Sequence, residues 1–217
     1  MTPVSERFLR YVQFNTTSDE SSETCPSTAN QKLLGAALVE EMKAMGIEDA
    51  YMDENGYVYG TVPGDPRLPT IGLIAHMDTS SDASGENIKA RIVEYNGGDV
   101  CLNEEKNIFL REKDYPSLKR HHGKHLIVTD GTTLLGADDK AGIAEIMTAA
   151  EFLLTARRTH ATLKIGFTPT RKSAGVRTSS TSRTSVPTMP TPPMAVPSAR
   201  LSLRTSTLPP PRWNSPV

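Results

Sequence analysis

The chain has 217 residues, with 24 Lys and Arg against 25 Asp and Glu and a formal net charge of −1, a size that fits one domain or two small ones. No apolar run reaches the roughly 20 residues that a membrane helix needs, and the opening MTPVSERFLRYVQF is charged and amphipathic rather than basic and then apolar, so neither a membrane span nor a secretory signal is expected. The near-zero charge hides an asymmetry: residues 1–169 hold all 25 acidic residues and 17 basic ones, whereas residues 170–217 hold seven basic residues and no acid.

In chain order, PVSERFLRYVQF places Val4, Phe8, Leu9 and Val12 at helical spacing, with Pro3 suited to a first turn. STANQKLLGAALVEEMKAMG predicts a second helix, capped by Ser27, ended by Gly46, and buried along Leu33, Leu34, Ala37, Leu38 and Met42. YMDENGYVYGTV predicts a hairpin turning at Asn55-Gly56. TIGLIAHMD is a nearly continuous apolar run, the pattern of a strand buried on both faces in a mostly parallel sheet. Residues 79–124 carry few regular signals and are expected to form loop, short strands and binding surface. LIVTDGTTLLGADDKAGIAEIMTAAEFLLTA predicts a strand, a glycine turn and a helix from about Lys140, whose buried stripe is Ile143, Ile146, Met147, Ala150 and Leu154. ATLKIGFTP adds a last strand. Strand, helix, strand in that order predicts an α/β domain over residues 1–169, with a mixed, mostly parallel sheet flanked by helices.

Residues 170–217 show neither helical nor strand periodicity and contain nine Pro, nine Ser and eight Thr. Such a segment cannot bury enough apolar surface to offset its ordering entropy, so a disordered tail is expected. Cys25 and Cys101 form no CxxC motif, which predicts free thiols and a cytoplasmic location.

Three groups of residues could carry chemistry. His76 and Asp78 close the apolar strand, and residues two apart in a strand share a face. That face meets the strand's C-terminal edge, where open α/β sheets bind ligands. A metal-binding His needs its second nitrogen held by an acceptor; the plainer account is a solvated polar pair. Asp138 and Asp139 follow Gly136 at a helix start, where adjacent carboxylates can bridge two cations or simply cap the helix. His121, His122 and His125 cluster in HHGKH but lack an HExxH pattern, and a solvated loop is expected there.

Taken together, LIAHMDTSSDASGENIKARIV, LIVTDGTTLLGADDKAGIAEIMTA and the strand ending GFTP resemble the tripeptide aminopeptidases of the co-catalytic zinc metallopeptidase family. The resemblance covers residues 1–169 in order and spacing. It implies a zinc-exopeptidase-like domain with two zinc ions per site, activating a water that attacks the peptide carbonyl. It further implies His76 as a ligand of one zinc, Asp78 as the catalytic residue that orients His76, and Asp138 as the carboxylate bridging both, beside a cis peptide bond at Asp138-Asp139. Its substrate would be a small peptide. The family's second domain, used for dimerisation and for covering substrate, is not recognisable here.

In the family the GFTP strand runs on into a DEE-G sequence that supplies the general base and a zinc ligand. Here Arg171 and Lys172 stand at those positions, and Met194 stands at a later Asp ligand. A displaced reading frame accounts for this. Thr170–Gly175 can be written ACG AGG AAA TCG GCC GGG; one G restored in front gives GAC GAG GAA ATC GGC CGG, or Asp-Glu-Glu-Ile-Gly-Arg. Thr, Ser, Pro and Arg codons are what acidic and apolar codons become one base out of step. The expectation is an inactive fragment whose zinc binding is doubtful. Two alternatives stay open: a carboxypeptidase or deacylase of the same family, and a non-catalytic module whose basic tail binds acidic partners. Nucleic acid is not expected as a partner, because the tail has no aromatic or Gly/Arg interleaving beyond Trp213.

Overall fold

The structure, a computed structural model, describes residues 2–156 and 158–170. Arg171, Lys172 and Met194, and the expectation of a disordered tail, lie outside the described residues.

Helix α1 (Pro3–Tyr11) begins with a reciprocal cap: the Thr2 hydroxyl accepts the Ser5 backbone N–H, and the Ser5 side chain takes that of Thr2. Its buried side is Arg7, Phe8 and Tyr11. Arg7, only 6% exposed, bonds Glu41 at 2.8 Å and Glu151 at 2.9 Å, so one guanidinium ties α1 to the two longer helices.

Helix α2 (Gln31–Ala44) starts four residues after Ser27, which does not cap it. The Ser27 hydroxyl instead accepts the Asp19 N–H and the Gln31 side-chain amide. Leu34, Leu38 and Met42 are buried as expected, but the stripe continues through Gly35 and Val39, and Leu33 is 60% exposed. The stripe i, i+3, i+4 from Gln31 leaves Leu33 on the far side of the helix. At Gly35 the helix packs closely: a Cβ there would sit 2.7 Å from the Met52 sulfur, so a larger residue requires that side chain to shift. Gly46 ends the helix at φ +97°.

Strands β1 (Tyr51–Met52) and β2 (Val58–Val62) form the expected hairpin, with Gly56 at φ +83°. Strand β3 (Ile71–His76) is followed by three short strands, β4 (Arg91–Tyr95), β5 (Val100–Asn103) and β6 (Ile108–Leu110), a 3-10 turn (Pro116–His121), and β7 (Lys124–Val128). Helix α3 (Ala137–Thr155) and strand β8 (Leu163–Thr168) complete the described chain. The main sheet has the order β1-β2-β8-β3. It is mixed: β8 runs antiparallel to β2 and parallel to β3, so one of its three pairings is parallel. β4 pairs with β7, and β5 with β6, in separate two-stranded ribbons.

Register fixes which side of the sheet is covered. Val58, Val62, Ala75, Leu163, Ile165 and Phe167 point to one face and are buried with Leu34, Leu38 and Met42 of α2 and Ile143, Met147 and Ala150 of α3. The α3 stripe is as expected, with Leu154 half-buried against it. The opposite face carries Tyr59, Gly72, Ile74 and Gly166, and no described helix covers it. β3 is therefore not buried on both faces: Ile74, on that side, is 74% exposed. Among the described residues β3 is also an edge, paired only with β8. β3, α3 and β8 form a parallel crossover, so β3 and β8 end side by side, His76 opposite Thr168.

Candidate active site

The ends of two parallel strands and the start of a helix converge here. His76 is the last residue of β3, and its Nδ1 lies 3.0 Å from the Asp78 carbonyl and 3.1 Å from Asp78 Oδ1. Its Nε2 lies 3.0 Å from Asp138 Oδ1. The Asp78 side chain is 7% exposed, that of His76 16%, and that of Asp138 73%, so the group runs from core to solvent. The three site residues that the resemblance implies are thus brought together.

The start of α3 explains how Asp138 reaches His76. Gly136 turns the chain at φ +71°, and neither Asp138 (φ −91°, ψ 103°) nor Asp139 (φ −121°, ψ 28°) is helical. The Asp138-Asp139 peptide is cis, as the resemblance implies. Regular helix begins at Lys140, and the carboxylate that takes an early helix N–H, that of Gly142, is Asp139. Asp139 thus caps the helix and also accepts the backbone N–H of His76, while Asp138 Oδ1 lies at the imidazole.

Electrostatics follow from this placement. Burial acts to lower the His76 pKa, but the Asp78 hydrogen bond and charge outweigh it and hold the ring above its ordinary value. Burial lifts the Asp139 carboxyl above the usual carboxylate range, with the nearby His76 acting against it. Lys140, 1% exposed, is pushed down by burial to about 8, and its Nζ donates to the Phe14 carbonyl at 2.7 Å.

The donor set can be tested for fit to a divalent cation. With Nδ1–H given to Asp78, a neutral His76 turns its Nε2 lone pair toward the Asp138 oxygen. Two acceptors then face each other, unless a proton or a metal ion stands between them. In kind, imidazole and carboxylate suit zinc. In number they fall short: zinc takes three or four protein ligands, and among the described residues no group of three or more His, Cys, Asp or Glu is placed to hold a metal. The described residues supply two of these ligands. His121, His122 and His125 are exposed, at the end of the 3-10 turn and on β7, which belongs to the separate β4-β7 ribbon.

Sequence reading missed the segment that backs the site. Residues 15–18, after α1, run alongside Met77–Thr79: Thr17 and Thr79 form a parallel bridge, Ser18 N donates to Thr79 O, and Thr79 N donates to Thr16 O. Ser18 Oγ donates to Asp78 Oδ2 at 2.8 Å. The polar run NTTSDE gives no periodic signal, and its partner lies 60 residues away. Beside the site, the Thr170 hydroxyl is buried and has no hydrogen-bond partner among the described residues.

This chain has close curated relatives. A Halothermothrix orenii protein is 55% identical over 173 residues, covering 78% of this chain and 42% of the relative. An Alkaliphilus oremlandii protein is 56% identical over 170 residues, covering 76% and 42%. Both are peptidases T. This chain resembles peptidase T at more than half of the positions compared, and spans 42% of the length of those relatives. Among solved structures, the aminopeptidase PepT of Bacillus cereus superposes with a TM-score of 0.50 at 23% identity, over 76% of this chain and 35% of that one, which supports the mixed α/β fold. No family model matches the chain.

Proposed function

We propose that residues 1–169 are part of the catalytic domain of a peptidase T, a zinc-dependent aminopeptidase that releases the N-terminal residue of tripeptides. The observation that carries this reading is His76 held between Asp78 and Asp138 at the joint end of β3 and β8. The identity to peptidases T over about four-fifths of the chain supports it. His76 and Asp138 would hold zinc, and Asp78 would orient the imidazole. When bound, the metal polarises the scissile carbonyl and lowers the pKa of a water. The chain's own contribution is to set the tautomer: with Nδ1–H given to Asp78, the Nε2 lone pair of the neutral ring, beside Asp138, would be the atom to hold a metal. Cys25 and Cys101 are both free and exposed, which supports a reducing, cytoplasmic setting.

As written, the chain is an inactive member of this group. The peptidase T pattern calls for carboxylates after β8, and the sequence offers Arg171, Lys172 and, later, Met194. A unit positive charge about 4 Å from a divalent ion is unfavourable by about 8 kcal/mol at an effective dielectric of 20, so Lys172 cannot replace a zinc carboxylate. The share of this chain matched by the relatives corresponds in length to the part before the Ser/Thr/Pro segment, as a frame displacement at Thr170 requires.

The test is hydrolysis. The purified chain, supplied with zinc and a panel of tripeptides, releases no amino acid above the rate of the His76→Ala variant. Release at a rate comparable to the H. orenii relative, abolished by His76→Ala, would refute the inactivity. Release of C-terminal residues or deacylation would move the reading to another activity.

A further inference from the structure

Residues 14–18, the strap that follows α1, are fastened to the candidate site at both ends. At Phe14 the backbone carbonyl takes the buried Lys140 ammonium from the start of α3. At Ser18 the backbone N–H donates to the Thr79 carbonyl, and the hydroxyl donates to Asp78 Oδ2 at 2.8 Å, with the Thr79 carbonyl at 2.9 Å as a competing acceptor. Between these points Thr16 is fully buried and Asn15 folds a local turn by accepting the Thr17 N–H and hydroxyl. The strap is thus set by bonds to α3 and to the residues that follow β3, the two places that carry the candidate ligands.

We propose that Ser18 is a positioning residue: its hydroxyl anchors one oxygen of Asp78 so that the other stays directed at His76 Nδ1. The two carboxylate oxygens have different partners, Oδ2 the Ser18 hydroxyl and Oδ1 the imidazole at 3.1 Å. A planar carboxylate held at one oxygen cannot rotate about its Cβ–Cγ bond without breaking that bond. The anchor has a purpose because Nδ1 has a second acceptor within reach, the Asp78 carbonyl at 3.0 Å. Without Ser18 the ring N–H passes toward the neutral carbonyl, and the charge-assisted bond, the stronger of the two kinds, is weakened. Asp78 is 5% exposed, so water replaces the lost hydroxyl poorly. The assignment deepens the peptidase reading, since it matters to catalysis only if His76 is a ligand. The hydrogen-bond relay itself holds with or without metal.

The test is solution NMR on the metal-free chain, following the His76 Nδ1–H proton. In the unaltered chain this proton is downfield and slow to exchange with solvent. Ser18→Ala moves it upfield and speeds its exchange about tenfold, the scale of one hydrogen bond to a charged group. Ser18→Thr, which keeps the hydroxyl, restores both. If Ser18→Ala does not fold, the comparison of Ser18→Thr with the isosteric Ser18→Val isolates the hydroxyl, and the same difference is expected. Unchanged shift and exchange in Ser18→Ala, or equal behaviour of the Thr and Val variants, overturns the proposal. Because no metal or substrate is present, such a failure is distinct from failure of the peptidase reading, which the tripeptide assay decides.

Discussion

Two isoleucines on neighbouring strands, facing opposite sides of one sheet, should respond very differently to truncation. Ile165 of β8 is 1% exposed and packs beneath the helices; Ile74 of β3 is 74% exposed and lies over Gly166 on the other face. Ile→Ala removes three carbons, about 2.4 kcal/mol at ~0.8 kcal/mol per buried methylene, and the cavity left in a packed core brings the total to about 2–5 kcal/mol. For Ile74 only about a quarter of the transfer contribution applies, about 0.6 kcal/mol by the same coefficient. Strand propensity adds a few tenths to both. Ile165→Ala should therefore be destabilising by roughly 2 kcal/mol more than Ile74→Ala. Urea unfolding followed by far-UV circular dichroism, with unchanged m-values, measures the difference. Equal losses for the two variants would show that the outer face is covered in solution, and would refute the one-sided sheet derived from the register.

The β3 edge, IGLIAH, has no Lys, Arg, Asp, Glu or Pro, so it lacks the usual protection against edge-to-edge pairing; Ile74→Lys should raise the monomeric fraction in light scattering at high concentration. Arg7→Ala removes a buried cation shared by Glu41 and Glu151 and should lower stability by about 3 kcal/mol, the scale for breaking a buried pair, whereas Arg7→Met should lose less; urea midpoints check both. Glu112 accepts the Tyr95 hydroxyl and the Gly98 N–H, and these two bonds depress its pKa, while burial, together with Glu112, pushes Tyr95 up to about 12. A depressed carboxylate stabilises above its unfolded pKa of about 4.5 and loses that contribution as pH falls through the folded value. The stability advantage over Glu112→Gln should therefore be full at pH 6 and shrink below pH 4.5, as read from urea midpoints across that range.

Much of this fold was legible because its signals are local. The Asn55-Gly56 turn, Gly46 at the end of α2, and the stripe Ile143–Ala150 depend on backbone conformation and helical period, and the structure agrees with each. The pairing of His76 with Asp78 followed from a spacing of two at a strand end. The misreadings have a common origin in tertiary context. Leu33 fits an apolar stripe by composition, but the sheet lies under Leu34, Leu38 and Met42 instead. An unbroken apolar strand predicts cover on both faces, yet position in the sheet decides cover, and β3 is the edge of the described sheet. The burial of Lys140, whose ammonium meets the Phe14 carbonyl, likewise depends on a contact far away in sequence. Ser18 could not be found from spacing, since its role depends on a contact between residues 60 apart.

The nucleotide sequence of the gene beyond the Pro169 codon tests the central claim most directly. Read with one base restored there, it should encode Asp-Glu-Glu and continue as an open, acidic sequence resembling the remainder of peptidase T. A neighbouring frame interrupted by stop codons, or one without that likeness, would contradict the account and leave the Ser/Thr/Pro segment as a feature encoded in its own right.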